Sequence, residues 1–268
     1  TSWVVLPERE AVYEDFPDCI DIRIREALAG RGIHRLYSHQ AEAIKAVNNG
    51  ESVVVVTPTA SGKTMCYNLP VLNSILKDDS SRALFLFPTK ALSQDQTSEL
   101  HEIITAAGID IKTYTYDGDT PQSARKAIRH AGHIVVTNPD MLHSGILPHH
   151  TKWTKLFENL KYVVIDEIHH YRGVFGSHLA NVIRRLKRVC EFYGSNPIFI
   201  CCSATIANPQ ELASRITGVD VKLIDNNGAP SGKKHIIFYN PPVVNKELGI
   251  RKSSLLEAER LAELLIRN

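Results

Sequence analysis

Eight short apolar runs punctuate this sequence, and helical patterns fill the spaces between them. The runs cover residues 52–57, 83–87, 111–116, 133–137, 162–166, 198–203, 221–224 and 236–239. They are nearly continuous in β-branched and large apolar residues, with little alternation, which is how strands read when both sheet faces are covered. Helical patterns lie near 38–47, 63–76, 89–106, 122–130, 175–193 and 209–217. Strand–helix alternation predicts an α/β fold with a mostly parallel β-sheet and helices on both faces. Ligands then bind beyond the carboxyl ends of the strands. Pro70 is expected to kink or end the helix that starts at 63. In 175–193, Phe175, Leu179, Val182, Ile183, Leu186, Cys190 and Tyr193 share one face, and Arg184, Arg185, Lys187 and Arg188 cover the other.

Composition narrows the class without choosing a function. A chain of 268 residues is long enough for one large core. A hydrophobic fraction of 43% with 22% charged residues excludes a disordered, collagen-like or coiled-coil chain. The net charge of +2 points to no partner by itself, although a local basic stripe would suffice for nucleic acid. The longest apolar run lies around 197–204, far short of the ~20 residues of a membrane span, so no membrane association is expected. Glu8, Arg9, Glu10, Glu14, Asp15 and Asp18 leave no apolar signal-peptide core. Five cysteines without a CxxC pair suit free thiols in a reducing compartment. A cytoplasmic location is therefore expected, with nucleoid or nucleus as alternatives.

A stretch rich in Gly, Pro, Ser and Lys over 226–234 reads as a loop, and 240–252, with Pro241 and Pro242, as a linker, so the chain is expected to divide into an N-terminal extension over 1–32, a main domain over 33–239, that linker, and a helix over 253–268. That helix, following a linker, looks like the opening of a second domain. The first residue, Thr1, adds the expectation of a piece of something longer.

The run at 52–57 leads into Thr57-Pro58-Thr59-Ala60-Ser61-Gly62-Lys63-Thr64 and then into a helix. Strand, glycine-bearing turn and helix in this order make a phosphate-binding loop. Backbone N–H groups of such a loop face phosphate oxygens. Gly62 permits a close approach that a Cβ would obstruct. Lys63 brings positive charge to the β and γ phosphates, and Thr64 offers a hydroxyl to Mg²⁺. Thr57 stands where the general pattern has its first glycine, so the match is imperfect.

A second apolar run, Tyr162 to Ile165, ends in Asp166 and Glu167, followed by Ile168 and His169. Asp166 at a strand tip suits a Mg²⁺ contact, and Glu167 suits the positioning and deprotonation of a water. His169 and His170 offer no third metal ligand at a sensible spacing. Ser203, Ala204 and Thr205 end a third strand, where small hydroxyls could bond His169 or the acidic pair and couple the nucleotide to a second surface. These features leave open a small-molecule P-loop kinase, a non-hydrolysing ATP switch or a motor.

Taken together the segments resemble superfamily-two DExH-box helicases. Residues 57–64 look like motif I, 166–169 like motif II and 203–205 like motif III. Leu36-Tyr37-Ser38-His39-Gln40 resembles the upstream glutamine motif, in which the carboxamide of Gln40 would read adenine. Phe87-Pro88-Thr89-Lys90-Ala91-Leu92 looks like motif Ia. Tyr116-Asp117-Gly118-Asp119 and Thr137-Asn138-Pro139-Asp140 resemble later strand-tip motifs. The strings LYSHQAEA, TPTASGKT, FPTKALSQDQ, YDGDTP and DEIHHYRGVFGSHLANVIRRLKR are similar to the RecQ-like branch of mitomycin-repair-factor helicases.

The resemblance implies a RecA-like domain that binds ATP and Mg²⁺ through Gln40, Pro58, Thr59, Ala60, Ser61, Gly62, Lys63 and Thr64, with Asp166 sharing the metal. Lys63, Asp166 and Glu167 would be catalytic, and His169, Ser203 and Thr205 would couple. Thr89, Lys90, Gly118, Thr137 and Asn138 would grip the backbone of single-stranded DNA, moved 3′ to 5′ in DNA repair, with RNA as the alternative. Such enzymes pair two RecA-like domains, and the second supplies arginine fingers. No glycine–arginine motif of that kind and no four-cysteine cluster occurs here. The resemblance therefore covers a first domain, weakly active without its partner domain.

Overall fold

A computed structural model describes residues 2–267. In chain order the elements begin with β1 (Ser2–Leu6), β2 (Tyr13–Glu14), α1 (Ile22–Gly30), β3 (Leu36–Tyr37) and α2 (Ser38–Asn48). Next come β4 (Val53–Val56), α3 (Thr64–Lys77), β5 (Arg82–Leu86), α4 (Lys90–Ala106), β6 (Thr113–Thr115) and α5 (Gln122–Ala131). After β7 (Ile134–Thr137) lie α6 (Pro139–Met141), a π turn, a 3₁₀ turn, α7 (Thr154–Glu158) and β8 (Leu160–Ile165). The main body closes with α8 (Gly173–Phe192), β9 (Ile198–Ser203), α9 (Pro209–Thr217) and β10 (Lys222–Ile224).

Seven strands form one sheet in the order β10-β4-β9-β8-β5-β7-β6, and every pairing in it is parallel. The apolar runs are continuous because alternate side chains enter two separate cores. Val53, Val55, Ala83, Phe85, Tyr162, Val164, Ile200 and Cys202 point to one face, where α1 to α4 pack. Val54, Val56, Leu84, Leu86, Val163, Ile165, Phe199 and Cys201 point to the other, under α5, α7, α8 and α9. Cys66, Cys190, Cys201 and Cys202 are buried free thiols, and Cys19 is half-buried. The predicted parallel sheet with helices on both faces is what the chain forms.

Several expectations need correction. The eighth run does not join this sheet. It becomes β11 (Lys234–Phe238), exposed throughout and paired antiparallel with β1. The chain divides into Ala11–Ala229 and a smaller unit of Thr1–Glu10 with Pro230–Asn268, so the divisions fall at 10/11 and 229/230 rather than at 32/33 and 239/240. Residues 11–32 fold with the main body because Ile20, Ile24 and Leu28 are buried in its core. In the smaller unit the expected linker carries two short paired strands, β12 (Val243–Asn245) and β13 (Ile250–Arg251), before α10 (Ser254–Arg267).

Pro70 neither ends nor splits α3. Every residue from Met65 to Ile75 is buried, so packing around the whole helix outweighs the ~3 kcal/mol that an interior proline costs. Phe175 is not on the core face of α8: it sits in the first turn and is 42% exposed, while Leu179, Val182, Ile183, Leu186 and Cys190 are buried as expected. Tyr193, also expected on the core face, lies just past the helix end, half-buried and packed at the edge of that core.

Candidate functional site

The loop between β4 and α3 is held in a conformation that ordinary residues resist. Ala60 and Gly62 have φ of 61° and 75°. A Cβ on Gly62 would come within 2.6 Å of Gln40 Nε2, so both backbone angle and space require glycine. Thr57 replaces a glycine usefully. Its buried hydroxyl lies 2.6 Å from Ser61 Oγ and braces the loop from within. Pro58, Thr59 and Ala60 are exposed, Ser61 is buried, and Gly62, Lys63 and Thr64 are half-buried. Lys63 Nζ folds back and donates to the carbonyls of Thr57 and Pro58, each at 3.0 Å.

Two residues of the upstream motif clamp this loop. Gln40 donates from Nε2 to the Gly62 carbonyl at 2.8 Å and accepts from the Tyr37 N–H at 2.9 Å. His39 is fully buried; its Nδ1 accepts from the Gly228 N–H at 3.2 Å, which leaves Nε2–H to donate to the Ser61 carbonyl at 3.1 Å. Beside Gln40, Gly62 and Thr64 lies a cavity of about 480 Å³ walled by Arg35, Tyr37 and Glu99. Its size suits a purine ring, and the Tyr37 ring offers a stacking face.

Two strands along from β4, β8 ends at the acidic pair. Asp166 is buried; Oδ1 accepts from the Glu167 N–H at 2.8 Å, and Oδ2 lies 3.2 Å from the Tyr67 hydroxyl. Burial pushes the Asp166 carboxyl up to about 6, against the pull of the Glu167 N–H. Glu167 adopts the left-handed region at φ 50°, a strained position typical of functional sites. Its Oε2 is buried with no hydrogen-bond partner. His169 Nδ1 lies 3.1 Å from it but faces the Ala204 N–H at 3.2 Å. Burial lowers the His169 pKa, so the ring is neutral and its Nδ1 lone pair accepts from Ala204.

The third motif acts through its backbone. The bond to His169 comes from Ala204 rather than from either hydroxyl expected to make it. Ser203 Oγ is buried with no partner, and Thr205 is exposed. Thr205 lines a groove of about 940 Å³ between α8 and α9, together with Arg172 and Arg184. Glu167 also supplies the third group that the sequence spacing lacked: it, His169 and His170 bring one ligand atom each within 4.8 Å of one another.

The strand-tip loops are divided in character. Thr89 caps α4, accepting from the Leu92 N–H at 3.3 Å, and both Thr89 and Lys90 are exposed. Lys90 pairs with Asp119, next to exposed Gly118. Asn138 is half-buried and caps α6 through Met141. Thr137 is buried and donates its hydroxyl to the Tyr116 carbonyl at 2.6 Å, so it supports the loop and offers no hydroxyl at the surface.

Sequence reading passed over Tyr67, Gln96, Glu99 and the role of His39. Tyr67 follows Thr64 by three residues and so shares its helix face, a signal that was present but weak.

The residues fit a nucleoside triphosphate and its cation. A lysine satisfied only by its own loop carbonyls, a buried carboxylate near pH 6 and an unpartnered carboxylate oxygen are groups awaiting phosphate, a divalent ion and a proton-bearing water. A glycine–lysine loop at the end of one parallel strand, with an acidic pair on a strand two places away, defines a P-loop nucleoside-triphosphatase domain of RecA-like form. Residues 37–212 match the DEAD/DEAH box helicase family. The chain is 64% identical over 267 residues to the uncharacterized ATP-dependent helicase YprA of Bacillus subtilis, covering 100% of this chain and 36% of that protein. It is 42% identical over 262 residues to the ATP-dependent helicase hrq1 of Schizosaccharomyces pombe, covering 95% and 25% respectively. The crystal structure of the DUF1998 helicase MrfA bound to DNA and AMPPNP superimposes with a TM-score of 0.96 at 64% identity, over 100% of this chain and 37% of that one. The chain belongs to the DEAD/DEAH box helicase family, in the branch of MrfA and Hrq1. It spans about a third of the length of the first of these relatives.

Proposed function

We propose that this chain is the ATP-binding half of the motor of an ATP-dependent helicase or translocase that moves 3′ to 5′ on single-stranded DNA, in DNA repair. The observation that carries the reading is the cluster at the carboxyl ends of β4, β8 and β9, where Lys63, the buried Asp166 and the unpartnered Oε2 of Glu167 sit just past the strand ends and His169, beside Glu167, accepts from the Ala204 N–H. Such a chain of contacts suits an enzyme in which the nucleotide state must be felt elsewhere. The DNA in the crystals of MrfA supports DNA as the strand.

Lys63 would swing from the Thr57 and Pro58 carbonyls to the phosphates, a move from one set of oxygens to another at little cost. Thr64 and Asp166 would hold Mg²⁺, which neutralises phosphate charge when bound. Glu167, its Oε2 unpartnered, would orient the attacking water and take its proton. Thr89, Lys90, Gly118 and Asn138 would meet the sugar–phosphate backbone from the α4 side, reading no sequence. A second RecA-like domain would complete the site with arginine. A DNA motor of this kind would work in the cytoplasm or nucleoid, and no helix among the described residues is long and apolar enough to cross a membrane.

The test is ATPase activity of the full-length protein with single-stranded DNA and with RNA, side by side, for wild type and Glu167→Gln. The expected result is stimulation by DNA and loss of turnover in the variant with nucleotide binding kept. Undiminished turnover in the variant sinks the assignment of Glu167, and stimulation by RNA alone sinks the choice of DNA.

A further inference from the structure

Two helices that carry different parts of the site face each other through four side chains. On α3, Thr64 and Tyr67 lie three residues apart and share a face; on α4, Gln96 and Glu99 do the same. Thr64 Oγ1 donates toward Glu99 Oε1 at 3.5 Å, and the Tyr67 hydroxyl lies 3.0 Å from Gln96 Oε1. The same hydroxyl lies 3.2 Å from Asp166 Oδ2. A phenol carries one proton, so these two acceptors compete for it. Tyr67 is fully buried and its ring is fixed edge-on against Phe85, with centroids 5.4 Å apart, so the hydroxyl cannot move away to avoid the competition. The helix bearing Gln96 and Glu99 begins at Thr89 and Lys90, the exposed residues assigned above to the strand.

We propose that Gln96 and Glu99 are positioning residues that restrain the nucleotide site until a strand binds. With no strand, Glu99 holds the Thr64 hydroxyl and Gln96 competes for the Tyr67 proton. A strand seated on the head of α4 draws both side chains off α3. The Tyr67 proton then goes wholly to Asp166 Oδ2 and fixes that carboxylate, while the Thr64 hydroxyl is free to turn toward the cation. Neither Gln96 nor Glu99 touches the strand or the phosphates; they act through Tyr67 and Thr64. The inference rests on the proposed function, because it requires a strand at Thr89 and Lys90.

The test uses the full-length protein and two readouts, each with and without single-stranded DNA: the ATPase kcat and KM, and the Kd of a non-hydrolysable ATP analogue. In Gln96→Leu, kcat and analogue affinity without DNA are expected to rise by about three- to tenfold, the weight of one net hydrogen bond. The values with DNA should stay near wild type, so the stimulation ratio falls by the same factor. Tyr67→Phe keeps the ring and is expected to lower the DNA-stimulated kcat about three- to tenfold with KM for ATP close to wild type. An unchanged stimulation ratio in Gln96→Leu, or equal losses with and without DNA in Tyr67→Phe, overturns the restraint while leaving the functional reading standing. A wild-type protein indifferent to single-stranded DNA overturns the functional reading, and the restraint with it.

Discussion

Replacing Asp166 by Asn should make the domain more stable at neutral and alkaline pH while it disables the site. The Asp166 carboxyl has an ordinary value of 3.8 and stands at about 6 in the folded chain, raised by burial. Below pH 4 it is protonated in both folded and unfolded chains and has no effect. Between pH 4 and 6 the folded chain keeps a proton that the unfolded chain releases, so stability falls as pH rises. Above pH 6 the cost is constant. A displacement of roughly two units is worth about 3 kcal/mol at 1.36 kcal/mol per unit.

Asparagine fits the same space. Its Oδ1 can accept from the Glu167 N–H, its Nδ2 can meet the Tyr67 oxygen, and the Tyr67 proton then passes to Gln96 Oε1 at 3.0 Å. Imperfect geometry at the new amide takes back about 1 kcal/mol, which leaves a gain of about 2 kcal/mol. For a unit of this size that raises Tm by roughly 4–8 °C. The assay is thermal unfolding of wild type and variant from pH 4.5 to pH 8. The gap should open as pH rises toward 7 and then level off. A gap independent of pH, or a variant that melts lower than wild type at pH 8, would refute the reasoning. Mg²⁺ with nucleotide should raise the Tm of wild type and leave the variant nearly unmoved.

Gly62→Ala places a Cβ 2.6 Å from Gln40 Nε2 at a φ of 75°, so it should lower stability by about 1–2 kcal/mol or more; calorimetric titration should also show nucleotide affinity lost, and retained affinity with an unchanged Tm counts against the site. His39→Ala removes the strut between Ser61 and Gly228 and should weaken ATP binding while the sheet stays intact, as read by nucleotide titration beside far-UV circular dichroism. Lys90→Ala should weaken single-stranded DNA binding for all sequences alike and reduce the salt slope of log Kd by about 0.7, measured by fluorescence anisotropy at several salt concentrations. In the smaller unit, Arg260, Tyr239 and Lys252 hold the Glu257 carboxyl at about 2. That contribution is full above the ordinary value of 4.5 and is lost as pH falls toward 2, so Glu257→Gln should shrink the acid dependence of α10 helicity.

The local patterns of this chain carried its layers and its chemistry. Runs such as 53–56 and 162–165 are apolar at consecutive positions because neighbouring side chains enter opposite cores, and that double burial is visible without coordinates. The turn from Thr57 to Thr64 and the Asp166–Glu167 pair are equally local: a strand end, a glycine and fixed residue types within a few positions. Closeness between distant segments was a different matter. The Tyr67–Asp166 contact joins residues 99 apart, and the His39–Gly228 bond joins residues 189 apart. Strand order brings them together, and no periodicity records strand order.

The same cause explains where the expectations failed. Side-chain type suggested that Ser203 or Thr205 would bond His169, but the strand tip turns the Ala204 N–H toward the ring, and a backbone donor is the same in every residue type. Pro70 looked like a helix breaker because its neighbours on other elements were not yet known. The 236–239 run looked like one more strand of the sheet, yet its partner is Ser2–Leu6 at the far end of the chain. Sequence alone marked the seven strands of the parallel sheet, the residues that bear charge at their tips and the loop that can cradle phosphate, because those follow from side-chain period and local backbone chemistry. Only the tertiary structure decided which tips meet, and with them the clamp of His39 and Gln40 on the loop and the contested proton of Tyr67. Those depend on the folding of distant segments into one sheet.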